Sequence, residues 1–174
     1  NYDKELIKDT YKAKDICFEY NNLKPSDFEG KDKIIKELFA KTGNQIIVEQ
    51  NFWCDYGYNI FVGENFYMNH NCTILHGAKV EFGDNVFVAP NCGFYTAGHP
   101  LNYETRNKGL EYAKPIKVGN NVWIGGNVVV LPGVTIGDNV VIGAGSVVNK
   151  DIPSNSVAVG NPCKVIKEIS QYDK

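Results

Sequence analysis

From Val118 to Val148 an aliphatic residue recurs at every sixth position, as Val118, Ile124, Val130, Ile136, Ile142 and Val148, without a miss. The fourth residue after each of the first five is also small or branched: Val122, Val128, Val134, Val140 and Ser146. Gly119, Gly125, Gly137 and Gly143 directly follow four of the six aliphatics. A period of six matches neither a helix nor a simple alternating strand. It matches short extended segments joined by tight corners. The aliphatic points inward, and Asn120-Asn121, Asp138-Asn139 or a Gly or Pro turns the chain. Three such segments close one triangular coil of eighteen residues. Coils stacked on one another share one continuous core. The stretch predicts a mainly β chain wound as a parallel β-solenoid.

The same count resumes upstream at Val62, Met68, Ile74 and Val80, then restarts two residues late at Phe82, Val88 and Phe94. The slip predicts a small bulge or loop around Lys79–Glu81. Cys54, Cys72 and Cys92 follow this register and are expected to stack on one inner face as small hydrophobes. Between Phe94 and Val118 the repeat vanishes, leaving a long loop inserted around residues 95–117 with His99-Pro100, several tyrosines and a charged tract from Glu104 to Lys108. A long interruption in so regular a scaffold points to function.

Ahead of the repeat, Leu6, Thr10, Ala13, Cys17 and Tyr20 alternate steps of four and three, the face of an amphipathic helix over residues 4–21. Pro25 ends it. Ser26 and Glu29 form a capping-box pattern before a second helix with Ile34, Ile35, Leu38 and Phe39, and Gly43 stands at its expected C-cap. The chain thus divides into a helical segment, 1–43, packed on a solenoid, 44–174, as one structural unit. A helical cap would cover the unpaired edge of the first coil.

A length of 174 residues suits one domain with a sizeable core. The net charge of −2 creates no basic field for nucleic acid or anionic lipid. No apolar run approaches a membrane span and no signal-peptide pattern opens the chain. The first residue is not Met, so a segment upstream is expected to be missing. Five cysteines, at spacings that suit neither zinc pairs nor a disulfide framework, make the cytoplasm the default compartment. His70 and His76, six residues apart, fall on adjacent faces and read as surface histidines, so no metal is expected.

The hexapeptide stretch resembles the hexapeptide-repeat acyltransferases, which fold as left-handed parallel β-helices. The hand rests on that resemblance, since crossovers between parallel strands are otherwise right-handed. Segment by segment the chain is similar to the maltose and galactoside O-acetyltransferases. The likeness is carried by residues 54–60, 65–69, 96–100, 109–115, 121–126 and 159–165, including the Thr96-Ala-Gly-His-Pro100 and Asn121-Val-Trp-Ile-Gly-Gly126 runs.

That resemblance implies an acetyl-CoA-dependent O-acetyltransferase acting on a sugar-like hydroxyl, as a homotrimer with sites between subunits. A sugar hydroxyl is a poor nucleophile at neutral pH and needs a positioned base. The resemblance places the base at His99, its orienting acceptor at Glu111, and an oxyanion donor at the backbone near Gly126. It also implies acetyl-CoA contacts from Trp123, Gly126, Ala144, Asn149, Lys150, Lys164 and Lys167, the last two being Lys where relatives often use Arg. The acceptor side maps to Asp55, Asn69, Gly77 and Glu111, with Tyr67 and Phe87 lining the same pocket. At Gly77 some relatives carry Asp, so one acceptor contact is expected to be missing. Two other readings stay open at this point. One is an acetyltransferase for serine, an aminosugar or a xenobiotic; the other is a non-catalytic scaffold subunit.

Overall fold

The computed structural model describes residues 3–170, so the outermost residues of both expected segments, 1–2 and 171–174, lie outside it. Helix α1 (Lys4–Asn21) is capped by Asp3, whose carboxylate accepts from the Glu5 N–H. It buries Ala13, Cys17 and Tyr20, as its periodicity predicts. Helix α2 (Phe28–Leu38) is capped by Asp27, whose carboxylate accepts from the Gly30 N–H at 2.9 Å. The cap is therefore Asp27 and not the expected Ser26. With Phe28 opening the helix, Asp27 is the residue that reaches the third helical N–H. Nor does Gly43 close α2, which ends where Phe39 donates to Ile35. Gly43 sits at a coil corner, where an added Cβ would lie 2.5 Å from the Gly63 carbonyl oxygen. Close approach of the next coil accounts for this glycine.

The solenoid then winds through short strands. The first coil holds β1 (Ile46–Val48), β2 (Trp53–Cys54) and β3 (Ile60–Val62). The second holds β4 (Phe66–Met68), β5 (Thr73–Leu75) and β6 (Val80–Phe82). The third begins with β7 (Val86–Val88) and β8 (Gly93–Tyr95). It leaves the prism through β9 (Ala97–Gly98), α3 (Tyr103–Arg106) and β10 (Tyr112–Ala113), and returns at β11 (Ile116–Val118). The fourth coil is β12 (Val122–Ile124), β13 (Val129–Val130) and β14 (Thr135–Ile136). Above it lie β15 (Val140–Ile142) and β16 (Val147–Val148), then β17 (Ser156–Val159) and a closing antiparallel strand, β18 (Lys164–Glu168).

These strands make three faces. The first face runs β1-β4-β7-β12-β15-β17-β18, the second β2-β5-β8-β13-β16, and the third β3-β6-β11-β14. Inward residues from every coil merge with Cys17, Tyr20, Ile35 and Leu38 of the helices in one core. The Tyr20 hydroxyl donates to the Val48 carbonyl, and the Cys17 and Cys54 sulfurs lie 3.8 Å apart, seating α1 on the first coil.

Register settles the slip seen in the repeat. Ile46 lies opposite Phe66, Trp53 opposite Thr73 and Ile60 opposite Val80, so the early coils are twenty residues long. Val122 lies opposite Val140 and Val130 opposite Val148, so the later coils are eighteen. There is no single bulge at Lys79–Glu81. Each early coil instead carries two extra residues at the corner between the second and third faces, around 55–59 and 75–79. The same register corrects the cysteine stack. Cys54 lies opposite Ile74, while Cys72 and Cys92 stand one position before the paired residues Thr73 and Gly93. All five cysteines are nonetheless buried and free. The wider early coils are filled by Phe52, Phe66, Phe82 and Phe94, with the Phe82 ring 5.1 and 5.0 Å from its two aromatic neighbours. The narrower late coils are filled by Val and Ile. Side-chain volume follows coil perimeter, as close packing demands.

Two corners of the prism turn on asparagine. Among the described residues nine asparagines, including Asn65, Asn85, Asn121 and Asn139, hold positive φ near 60°, a conformation that Asn adopts at less cost than other residues with a Cβ. Their amides form ladders between coils: Asn65 donates to Asn85 at 2.9 Å, and Asn85 to Asn121 at 3.2 Å. Replacing Asn85 by Val loses two ladder bonds and puts a β-branched residue at φ 56°. Asn85→Val is expected to cost about 2–4 kcal/mol of stability. Asn85→Gly, which keeps the turn, should cost only about 1–2 kcal/mol. Denaturant unfolding of the two variants checks the order, and equal losses would show that backbone conformation contributes nothing.

His70 is exposed as expected, but His76 is not a surface residue; it is fully buried. It belongs to the longer early corner, where residue 76 follows inward-facing Ile74 by two positions and so faces in as well. Its Nδ1 lies 3.0 Å from the Ile74 carbonyl, and Nε2 has no hydrogen-bond partner. Burial pushes the imidazole pKa down, against weaker opposing pulls from the Ile74 carbonyl and the Asp55 carboxylate. The unfolded chain therefore binds this proton more readily than the fold does. Stability from the neutral ring is present above the unfolded value of about 6.5 and is lost as pH falls below it. Melting temperatures between pH 7.5 and pH 5 should fall less steeply in His76→Gln than in the parent, and parallel curves would remove His76 as the cause.

Candidate functional site

The corner between the second and third faces is where the chain departs from its minimal six-residue step. It is two residues longer in the first two coils, and in the third it opens into the excursion of residues 95–115. Extra residues at one corner stay stacked in space, so Asp55, Gly77 and the root of the excursion become neighbours. The excursion itself is ordered. Tyr112 pairs with Gly98 and Ala113 with Ala97 in an antiparallel hairpin. Its far end carries α3, whose cap Asn102 accepts from the Thr105 N–H at 2.9 Å.

The hairpin brings residues 99 and 110–111 together across its two arms. His99 Nδ1 lies 3.4 Å from the Leu110 carbonyl oxygen, and its Nε2 lies 3.5 Å from Glu111 Oε1. Both side chains are about half exposed, at 53% and 59%. Both neighbours can only accept, so each calls for a proton on the nitrogen it faces; the tautomer with its proton on Nδ1 donates to the Leu110 carbonyl. Nε2 then carries the lone pair on the side of the carboxylate.

Beside this pair lies a cleft of about 360 Å³ lined by Asp55, Tyr56, Gly77, Ala97, Leu110, Glu111 and Ala113, with Leu6, Ile7 and Thr10 of α1. One Asp55 carboxylate oxygen accepts from the His76 N–H at 2.8 Å, which orients the group. At Gly77 an added Cβ would meet the Ala113 methyl at 3.2 Å, so the hairpin closes tightly over this position. Sequence reasoning found Asp55, Gly77 and Glu111 but missed the contribution of α1. The available signal was slight. Leu6 and Thr10 sit on the apolar face of α1, yet Leu6 is 40% and Ile7 41% exposed because the core begins only at Ala13.

The remaining expected residues lie elsewhere on the chain. Tyr67, Phe87 and Trp123 share one register on the outer side of the first face. Phe87 and Trp123 are 42% and 56% exposed. Tyr67 and Phe87 line a second cleft with Asn44, Gln45, Ile47 and Asn65, separate from the one that holds Asp55. Residues at the middle of a strand point straight out of their face, whereas Asp55 and Gly77 project from a corner. Asn69 occupies the corner between the first and second faces. Gly126 and Ala144 lie further along that same edge, where Gly145 donates to the Gly126 carbonyl at 2.8 Å. Asn149 and Lys150 turn the corner between the second and third faces at the far end of the prism. Lys164 and Lys167 stand exposed on β18. Within one chain, the residues expected to meet acceptor and acetyl-CoA therefore form separate groups. Among the described residues no group of three or more His, Cys, Asp or Glu is placed to hold a metal ion.

Residues 115–150 match the model for the bacterial transferase hexapeptide (six repeats), and residues 1–43 match the maltose acetyltransferase hexapeptide capping motif. The chain is 51% identical over 163 residues to the galactoside O-acetyltransferase of Escherichia coli (strain K12), covering 94% of this chain and 80% of that protein. The crystal structure of a maltose O-acetyltransferase from Clostridium difficile 630 matches with a TM-score of 0.96 at 55% identity, over 97% of this chain and 90% of that one. A galactoside acetyltransferase in complex with coenzyme A matches with a TM-score of 0.96 at 47% identity, over 100% and 90% of the two chains. The fold is accordingly a left-handed parallel β-helix.

Proposed function

The chain belongs to the maltose and galactoside O-acetyltransferase family, and from that premise we propose that it acetylates a hydroxyl of a sugar, with His99 as general base. That it is an acetyltransferase using acetyl-CoA follows from the family itself. The sugar hydroxyl and the base are the further steps. One observation carries them: His99 sits between the Leu110 carbonyl and the Glu111 carboxylate, and Glu111 also lines the cleft that holds Asp55.

In this reading the Nδ1–H donates to the Leu110 carbonyl and fixes the ring, while Nε2 removes the proton from the attacking hydroxyl. The oxygen then adds to the thioester carbonyl. The backbone N–H of Gly126 meets the oxyanion, and the imidazolium returns its proton as the thiolate leaves. The orienting part expected of Glu111 thus falls to the Leu110 carbonyl, while Glu111, on the Nε2 side, stabilises the imidazolium. Asp55 accepts from acceptor hydroxyls. Tyr67 and Phe87, from the first face of a neighbouring chain, and Asn69, from the corner beside it, approach the same acceptor. Trp123, Gly126, Ala144, Asn149, Lys150, Lys164 and Lys167 hold acetyl-CoA, with the two exposed lysines of β18 on its phosphates. Gly77 offers no carboxylate, which favours loose binding of one sugar unit.

The separation of these groups within one chain supports a homotrimer with sites shared between subunits. So does the outward apolar row of Ile47, Tyr67, Phe87 and Trp123 on the first face, where Ile47 is 53% exposed. Five buried, unpaired cysteines support a reducing compartment such as the cytoplasm.

Two measurements test this reading. His99→Ala should lower turnover by about 10²–10⁴-fold with little change in acetyl-CoA affinity, and Glu111→Gln should cost less. Near-normal turnover of His99→Ala with a hydroxyl acceptor would place the base elsewhere, and exclusive use of serine or an amine would exclude the sugar. Sedimentation at micromolar concentration should give three times the 19.4 kDa chain mass, and a fully active monomer would end the shared-site reading.

A further inference from the structure

Helix α1 caps the solenoid, yet its first half buries nothing in the core. Its buried residues begin at Ala13 and continue through Cys17 and Tyr20. Leu6 and Ile7, in the first two turns, are two large aliphatics left 40% and 41% exposed. Both line the cleft that contains Asp55 and Glu111, together with Thr10 and, from the hairpin, Leu110. The Thr10 hydroxyl proton is committed to the Leu6 carbonyl at 2.9 Å and is not offered to the cleft as a donor. The cleft is therefore two-sided, with carboxylates on the coil and hairpin and aliphatic carbon on the helix.

The helix is held in place relative to the cleft floor. The Cys17 sulfur lies 3.8 Å from that of Cys54, the residue directly before Asp55. The Asn21 side chain donates to the Phe52 carbonyl at 2.9 Å and accepts from the Phe52 N–H at 3.0 Å. The C-terminal half of α1 is thus fastened to the first coil, and the N-terminal half overhangs the cleft as a rigid extension of it.

We propose that Leu6 and Ile7 are specificity-determining residues of the acceptor site. They form an apolar wall that packs on the C–H face of the acceptor while Asp55 takes its hydroxyls. This rests on the acetyl-transfer reading above and extends it to the acceptor's shape, namely a hydroxylated ring with one apolar face, held edge-on between helix and coil. A flat apolar wall opposite hydrogen-bond acceptors suits such a ring, because each C–H packed against carbon leaves water without loss of a hydrogen bond. An open-chain polar acceptor would leave the wall wet.

The test is steady-state kinetics of the full chain carrying Leu6→Ser and Ile7→Ser together, with acceptor and acetyl-CoA each varied in turn. The Michaelis constant for the acceptor should rise about tenfold, the loss of roughly two partly buried aliphatic contacts, while that for acetyl-CoA stays within about twofold. Ile7→Ser alone should move the acceptor constant in the same direction by a smaller factor. Tyr11→Ser, on the same helix but away from this cleft, should change neither constant. An unchanged acceptor constant, or acceptor and acetyl-CoA constants rising together, would overturn the wall. Failure of the hydroxyl assignment is seen separately, as wild-type turnover confined to an amine. The wall is then judged by the same pair of constants measured on that amine.

Discussion

The backbone ladder between coils is the constraint on which everything else here depends. Among the described residues no strand exceeds five and most have two or three, so none has enough bonds to persist alone. Each is held by the coil below and the coil above, through donors such as Gly63 to Phe82, Gly83 to Val118 and Gly119 to Ile136. Such a ladder requires neighbouring coils to keep the same length on every face. Residues can be added only where the chain is not paired, which means at a corner. Corners are also where asparagine can hold positive φ and bond its amide to the asparagine of the next coil.

That rule explains the position of the candidate site. The extra residues of the first, second and third coils all fall at one corner, and coils that stack place successive insertions over one another. Asp55, Gly77 and the 95–115 hairpin therefore converge although they are far apart in sequence. The hairpin has its own antiparallel pairing, so it can leave the prism and return to β11 without disturbing the register of Ile116 opposite Val80. The helical cap, needed to cover the first coil, extends over the same corner and closes the cleft. A regular scaffold thus tolerates irregular chemistry because each irregularity is confined to one unpaired edge.

The same geometry keeps the expected site residues apart within one chain. A corner and a face point in different directions, and the His99–Glu111 pair belongs to the corner while Tyr67, Phe87 and Trp123 belong to the face. Parallel stacking fixes those directions for every coil, so no side-chain rotation unites the groups. In the proposed shared site, a neighbour's face meets this corner, and the exposed apolar row on the first face is the part of the surface suited to that contact.

Much of this was legible in the sequence, for a physical reason. A solenoid stabilised by neighbour-on-neighbour stacking must repeat its inward residues, so Val118 through Val148 spell out its period. The excursion announced itself by the loss of that period, and helix α1 by the spacing of Ala13, Cys17 and Tyr20. Local caps were less legible, because Ser26 and Asp27 are both good capping residues and only the packing of α2 chooses between them. Burial of His76 and the pairing of Cys54 with Ile74 depended on whether a coil holds eighteen or twenty residues. That is settled by which residues lie opposite one another, and a linear count with one ambiguous slip does not settle it. The solenoid, its core and the candidate residues could be read from the chain alone, because period and composition are properties of the chain. That α1 walls the cleft, that the Leu110 carbonyl faces Nδ1 of His99 and that Glu111 stands at Nε2 became visible only in three dimensions, because those contacts join segments brought together by stacking.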